Sequence, residues 1–509
     1  MNRLREVLRG EVASIREEVS AAAGVSERTL MVGTVLLVSA VSAAMTYILT
    51  QYYAVDALSS LIFFPEDCWG DWHMQIGRHC FSDYAMVVPA VLQPNPWEGY
   101  PLFPPHPRMG IQYPAAAMLP HLLFGLLGKW FGAPLLGLIG YLLVLSIAVL
   151  SPAVWAARGA RGLERVVIFV ALGAAAVPAW MVIDRGNSTG FVVPIALVFL
   201  IALCRRRWGL VTIMVVLAAL VKPQFAVLAV ALFAARQWRW GGVALAGIAV
   251  SHFAAYFAWP RAFPETIETS IHNFGSINDS NPMLFDIRNV SFGKALLFIP
   301  DSVKASQTGG TLPDGFLMGP RLMIGYVVLL VVVASVLVLG RRMPAVMVGV
   351  LLLVTATLAP PQTLFYYLVC VLPVAALVAR DPDGPPGAGL FDRFAKHGDR
   401  RRVVGICLSV ASAFTIAQFA LPGPIANIEI KGIGIRTLTA TTTFVTPVFW
   451  LVACAAVIVS YARRPDPSAG NDRSDGEGPL HSDASASVST SETPTEIDTA
   501  RTFPAAGPH

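Results

Sequence analysis

Charge is scarce in this chain. Only 14% of its 509 residues are Asp, Glu, Lys or Arg, where a soluble domain carries about a quarter. That shortage excludes an ordinary water-soluble fold. Motifs of soluble catalysis are missing too: the sequence holds no Walker phosphate loop, no GxSxG, no HExxH, and no CxxC or Cys/His spacing for zinc. No metal and no cofactor is expected. A basic face for nucleic acid is also lacking. The net charge is +5, but the basic residues sit in short clusters between apolar runs, where they act as topology signals. The start of the chain does not read as a cleavable signal peptide, because the first apolar run begins near Leu30, too late and too long for one.

Long apolar runs are what the chain has in abundance. Hydrophobic residues make up 55% and the mean hydropathy is +0.61. The expected fold is an all-α polytopic membrane protein with about 12 transmembrane helices within residues 29–462. Both termini are expected on the cytoplasmic side, together with Arg158, Arg161, Arg165, the RRRW at 205, the loop 380–402 and Arg463–Arg464. Residues 1–28 read as a cytoplasmic amphipathic segment, with Leu4, Val7, Leu8, Val12, Ile15 and Val19 on one helical face. Residues 463–509 are rich in Ser, Thr, Asp, Gly and Pro and read as a disordered cytoplasmic tail. Three outer loops remain, 51–131, 259–321 and 422–444. Residues 114–131 are apolar but interrupted by Pro120, His121 and Lys129, and are expected to lie at the interface or re-enter rather than cross. The segments on either side of VKPQ at 221–224 are short for two full crossings.

The few charges at the outer ends of these runs form the candidate site. They are Asp71 and Asp83 in the first loop, Arg185 and Asn187 in a DRGN turn, Lys222 and Gln224 in KPQ, and Arg288 and Asn289 in RNVSF. A carboxylate can accept a proton from an attacking hydroxyl. Lys and Arg can hold a phosphate. Trp69, Trp72, Tyr84, Trp97 and Tyr100 can stack on sugar rings. Each has a plainer reading: a solvated loop acid, a polar turn, a snorkelling lysine, an Arg288 paired with Asp286, an interfacial aromatic belt. Cys68 and Cys80 flank a polar stretch and are expected to form a disulfide if that loop faces an oxidising compartment. The alternative is two free thiols in an ordered loop.

In their order these motifs resemble the GT-C glycosyltransferases of family 87, which transfer mannose or arabinose from polyprenyl phosphates. Asp83–Tyr84, then Tyr100, then Tyr113–Pro114 resemble that family's first outer loop. GNSTG at 186, LVKPQ at 220 and RNVSF at 288 resemble its later elements, so the likeness covers roughly residues 30–375. It implies a GT-C-like bundle in the plasma membrane with an extracytoplasmic active site. It also implies an inverting transfer, with Asp83 or Asp71 as general base, from a polyprenyl-phosphate sugar to an envelope glycan or glycolipid. Cations among Arg185, Lys222 and Arg288, with Asn187, Gln224, Asn289, Tyr100 and Tyr113, would hold the substrates. One departure is plain: Phe365 and Tyr366 stand where the family often carries a His pair. The insertion CWGDWHMQIGRHC brings the second acid, Asp71. The rival expectations are a transporter or lipid-carrier flippase, for which His252 is the main intramembrane ionisable residue, and a non-catalytic scaffold of an envelope-building complex.

Overall fold

Apolar segments in this chain become helices wherever Gly, Pro or a charge does not interrupt them. The computed structural model describes residues 25–63, 79–98, 111–275, 282–286, 288–310, 312–313, 315–430 and 434–463. The expected amphipathic segment 1–20 and the tail from 464 lie outside the described residues.

Five helices are long and apolar enough to cross a membrane: Glu27–Tyr52, Pro134–Ala157, Trp238–Ala258, Met318–Leu339 and Thr442–Ala462. A sixth crossing is counted if the pair Gly162–Ala174 and Val177–Arg185, bent by 50°, is one span. The remaining expected crossings are helices too, but short ones: Ser188–Cys204, Trp208–Val221, Pro223–Ala234, Ala345–Leu358, Phe365–Ala379 and Arg402–Ile416. Of about 12 expected spans, five helices, or six with the bent pair, have the length to cross among the described residues. A 14-residue helix such as Ala345–Leu358 rises about 21 Å, less than the roughly 30 Å of a hydrocarbon core. Every residue of that helix after Ala345 is buried. Interrupted backbone at such depth is tolerated where protein covers it. Segment 114–131 forms the helix Ala115–Trp130, opened by Pro114 and too short for a crossing.

The breaks follow from the sequence. Gly186, at φ +65°, ends the helix Val177–Arg185 in the left-handed conformation glycine favours. A Cβ there would stand 2.9 Å from the Tyr84 Cβ, so the DRGN turn also needs glycine for close approach. Lys222 is extended ahead of Pro223, which stops the helix Trp208–Val221. A further break precedes the 3₁₀ turn Phe365–Val371, which packs against the helix Val177–Arg185.

One element departs from the all-helical expectation. Strands β1, Ala420–Ile430, and β2, Gly434–Thr441, pair antiparallel within the third expected outer loop. Alternating Ile and Thr residues around Gly432 and Gly434 are a strand signal of period two.

Ion pairs fasten the opposite end of the bundle. Glu27 takes Arg400 and Arg402, Arg28 takes Glu164, and Arg205 and Arg393 take Asp383. The bent pair Gly162–Ala174 and Val177–Arg185 starts after Arg161, and the helix Trp208–Val221 starts after Arg207, so both begin at this end. The Arg-rich segments and the candidate site thus lie at opposite ends of the helices joining them.

Candidate functional site

Asp83 sits in the first turn of the helix Ser82–Val91, which Phe81 opens in a left-handed conformation. Its side chain is buried, and three residues close on it. Arg185 donates through Nε to Oδ2 at 2.7 Å and through Nη2 to Oδ1 at 3.2 Å. Asn187 donates through Nδ2 to Oδ2 at 2.9 Å. The Tyr113 hydroxyl reaches Oδ1 at 3.5 Å and accepts from Asn187 Nδ2 at 2.9 Å. The other end of the Asn187 amide accepts from Thr189 N at 2.8 Å, which fixes its orientation. Four sequence-predicted residues, Asp83, Tyr113, Arg185 and Asn187, therefore form one cluster.

Lys222 completes it. The ammonium lies 4.3 Å from the Tyr113 ring centroid and 5.3 Å from that of Tyr367. It is only 7% exposed. Among the described residues no carboxylate pairs with the ammonium and no hydrogen bond reaches that group. Cation–π contacts compensate part of the cost of burying a charge. The site carries one carboxylate and two buried cations, a net positive charge facing aromatic rings.

The electrostatics follow. Burial alone raises the Asp83 carboxyl, but the charge and hydrogen bond of Arg185, the Asn187 amide and the field of Lys222 outweigh it, and it is held below its usual 3.8. Asp83 is ionised at neutral pH. Burial, and then the Asp83 charge, push the Tyr113 hydroxyl well above its usual 10, so it stays a donor. His121, hydrogen-bonded to the Tyr141 hydroxyl at 3.1 Å, is held down at about 4 by burial and is neutral.

The other expected site residues go elsewhere. Arg288 pairs with Asp286 through Nε at 2.9 Å and Nη2 at 2.7 Å, and it is not among the partners of Asp83. Asn289 bonds Pro361 O at 2.8 Å and accepts from Ser291 N at 2.9 Å, so it ties its loop to the turn at 361. Gln224 donates to Ala356 O at 3.2 Å. Tyr84 and Trp97, considered as sugar platforms, are core residues. Tyr84 packs on Tyr141, and Trp97 donates to Tyr113 O and lies against Trp259. Cys80 is disulfide-bonded. Cys68, Asp71 and Tyr100 lie outside the described residues. His252 turns to Ala219 O at 3.1 Å.

Two further contributors were not among the candidate site residues, although Tyr366 marks one of the positions where the family often carries a His. Tyr366 and Tyr367 stack on each other at 4.8 Å. Tyr366 lies 5.0 Å from the Arg185 guanidinium, and Tyr367 faces Lys222. Of the two positions where the family often carries a His pair, Phe365 and Tyr366, only Tyr366 belongs to this stacked pair. His79, which bonds Asp184, ties the start of the same loop to the same helix end. A cavity of about 290 Å³ beside the break at 174–177, lined by Ser39, Ser42, Trp180 and Gln418 among others, touches none of the cluster residues.

No protein-family model matches this chain, and no curated protein matches it. The reading of the site rests on its geometry.

Proposed function

We propose that this protein is a glycosyltransferase of the plasma membrane. It would move a hexose, mannose foremost, or a pentose from a polyprenyl-phosphate sugar to an envelope glycan or glycolipid at the outer face. One observation carries the reading: Lys222, a buried lysine without an anionic partner among the described residues, stands beside a buried carboxylate that already has its own cation. A site of this kind accepts a further anionic group, and a lipid phosphate brings one into a membrane protein without a nucleotide. Asp83 supplies the proton acceptor for the acceptor hydroxyl. That hydroxyl attacks the anomeric carbon, the bond to the phosphate oxygen breaks, and the configuration inverts. Arg185 and Lys222 stabilise the polyprenyl phosphate as it leaves. Tyr113 and Asn187 hold the Asp83 carboxylate in place.

A carrier that moves an anionic lipid would also want a buried cation. The carboxylate favours chemistry over carriage, because an acid beside the phosphate weakens anion binding and is useful only if it takes a proton. Purified protein in nanodiscs, given polyprenyl-phosphate mannose or arabinose and membranes from a strain lacking the enzyme, separates the two. Labelled sugar moving to the acceptor is the expected result. Transbilayer movement of the intact donor, with no new glycosidic bond, would assign the carrier role.

A further inference from the structure

The acid that is to act as base is tied up in this structure. Arg185 holds both Asp83 oxygens, Asn187 holds one of them, and Tyr113 approaches the other. A carboxylate so engaged is a poor proton acceptor and has little freedom to meet a hydroxyl. The neighbouring cation, Lys222, is by contrast unengaged by any anion among the described residues, and both cations lie on the stacked Tyr366–Tyr367 pair. Arg185 is also the last residue of its helix, directly before Gly186 at φ +65°, so its side chain leaves from a helix end rather than a packed middle turn. The cluster therefore places one guanidinium on Asp83 and on the same tyrosine pair that carries the Lys222 ammonium.

Resting on the donor reading above, we propose that Arg185 is an exchangeable counter-ion. It holds Asp83 while no donor is bound and moves to the phosphate when that group settles beside Lys222, which frees the carboxylate to act as base. The exchange makes Asp83 reactive only in the presence of donor. It orders the reaction, donor before acceptor, and suppresses stray proton abstraction in the empty site. Arg185 is thereby a positioning residue for the base as well as a phosphate contact.

This exchange has a consequence for binding that a fixed ion pair lacks. Asp83 and the phosphate compete for one guanidinium, so removing the carboxylate strengthens phosphate binding. The test uses undecaprenyl phosphate, without sugar, and the full chain in nanodiscs: wild type, Asp83→Asn, Arg185→Gln and the double variant. Asp83→Asn is expected to tighten binding about 10-fold, the scale of one charge-assisted contact. In the Arg185→Gln background the gain shrinks to the part due to removing a negative charge. Equal gains in both backgrounds, or no gain from Asp83→Asn, overturn the exchange.

A cryo-EM map of wild type with the same lipid gives a second readout that needs no variant. Arg185 on the phosphate and off Asp83 is expected, and Arg185 still bidentate on Asp83 overturns the proposal. Failure of the underlying donor reading looks different: the lipid phosphate binds neither wild type nor any variant. Inorganic phosphate, run as a parallel arm, separates the sources. Competition seen with the free ion but not with the lipid overturns the lipid-linked form of the exchange.

Discussion

Two buried clusters in this protein have the same composition and opposite character. Each holds one aspartate, one arginine and one lysine. In the first, Asp301 takes both cations: Arg321 at 2.6 and 3.2 Å and Lys294 at 3.1 Å. The second donor contact of Lys294 is Phe285 O at 3.1 Å, and Arg321 lies 4.6 Å from the Phe285 ring. In the second, Asp83 takes Arg185 and leaves Lys222 to two tyrosine rings. The first cluster closes on itself and staples the helix Phe298–Gln307 to the helix Met318–Leu339. The second keeps a cation in reserve, where three helix breaks meet. Composition alone does not separate a structural triad from a binding site. What separates them is whether every charge already has its partner.

Asp83→Asn should cost the most where activity is read. General-base catalysis contributes about 10²- to 10⁴-fold, so transfer should fall by that much while Asp301→Asn leaves the turnover of folded molecules unchanged. Equal losses in both variants would erase the distinction drawn here. Stability should run the other way. Asp301→Asn strands two buried cations and should destabilise by about 3–5 kcal/mol, read as a drop in thermal midpoint in detergent. An unchanged midpoint would mean that water already solvates that triad.

The pH dependence is a smaller effect with a definite sign. The folded-state value of Asp83 lies below its unfolded one. Its ion pair therefore contributes fully above the unfolded value of about 3.8, and the contribution is lost as pH falls through the lower folded value. Melting midpoints of wild type and Asp83→Asn should differ by a constant amount between about pH 5 and 7 and converge only in stronger acid. Convergence near pH 6 would show that Asp83 is not held by Arg185 in solution.

The sequence made some of this site legible for a physical reason. Gly186–Asn187 and Lys222–Pro223 are strong interruptions in apolar helices, and a charge beside such a break stands out. Arg185, Asn187 and Lys222 are visible in that way, Asp83 as an acid among aromatics in the first loop, and Tyr113 only through the family resemblance; the five do assemble. Arg288 and Asn289 looked equivalent in the sequence, yet their partners are local: Asp286 two residues away and the carbonyl of Pro361. Charge at a loop does not reveal whether a neighbour neutralises it. Tyr367 carries no signal, and Tyr366 reads only as a departure from the family's His pair, because tyrosines in an apolar run look like core or interface residues. Their faces become meaningful only once two cations are placed on them. The helices themselves were legible, but their lengths were not, since hydropathy does not distinguish a full span from two half-helices enclosed by protein. The β1–β2 hairpin stays inconspicuous in the sequence because it lies in a long connection between two apolar runs.

Lys222 tests the central claim most directly. Affinity for undecaprenyl phosphate should be measured for wild type, Lys222→Met and Lys294→Met, with a melting curve for each. The account predicts that Lys222→Met weakens binding about 10- to 100-fold, the worth of a charge-assisted contact, while its midpoint holds or rises because an unpaired buried charge is gone. Lys294→Met should do the reverse, binding as wild type and melting lower. Wild-type affinity in Lys222→Met would contradict the account, since the cation held in reserve would then have no phosphate to serve.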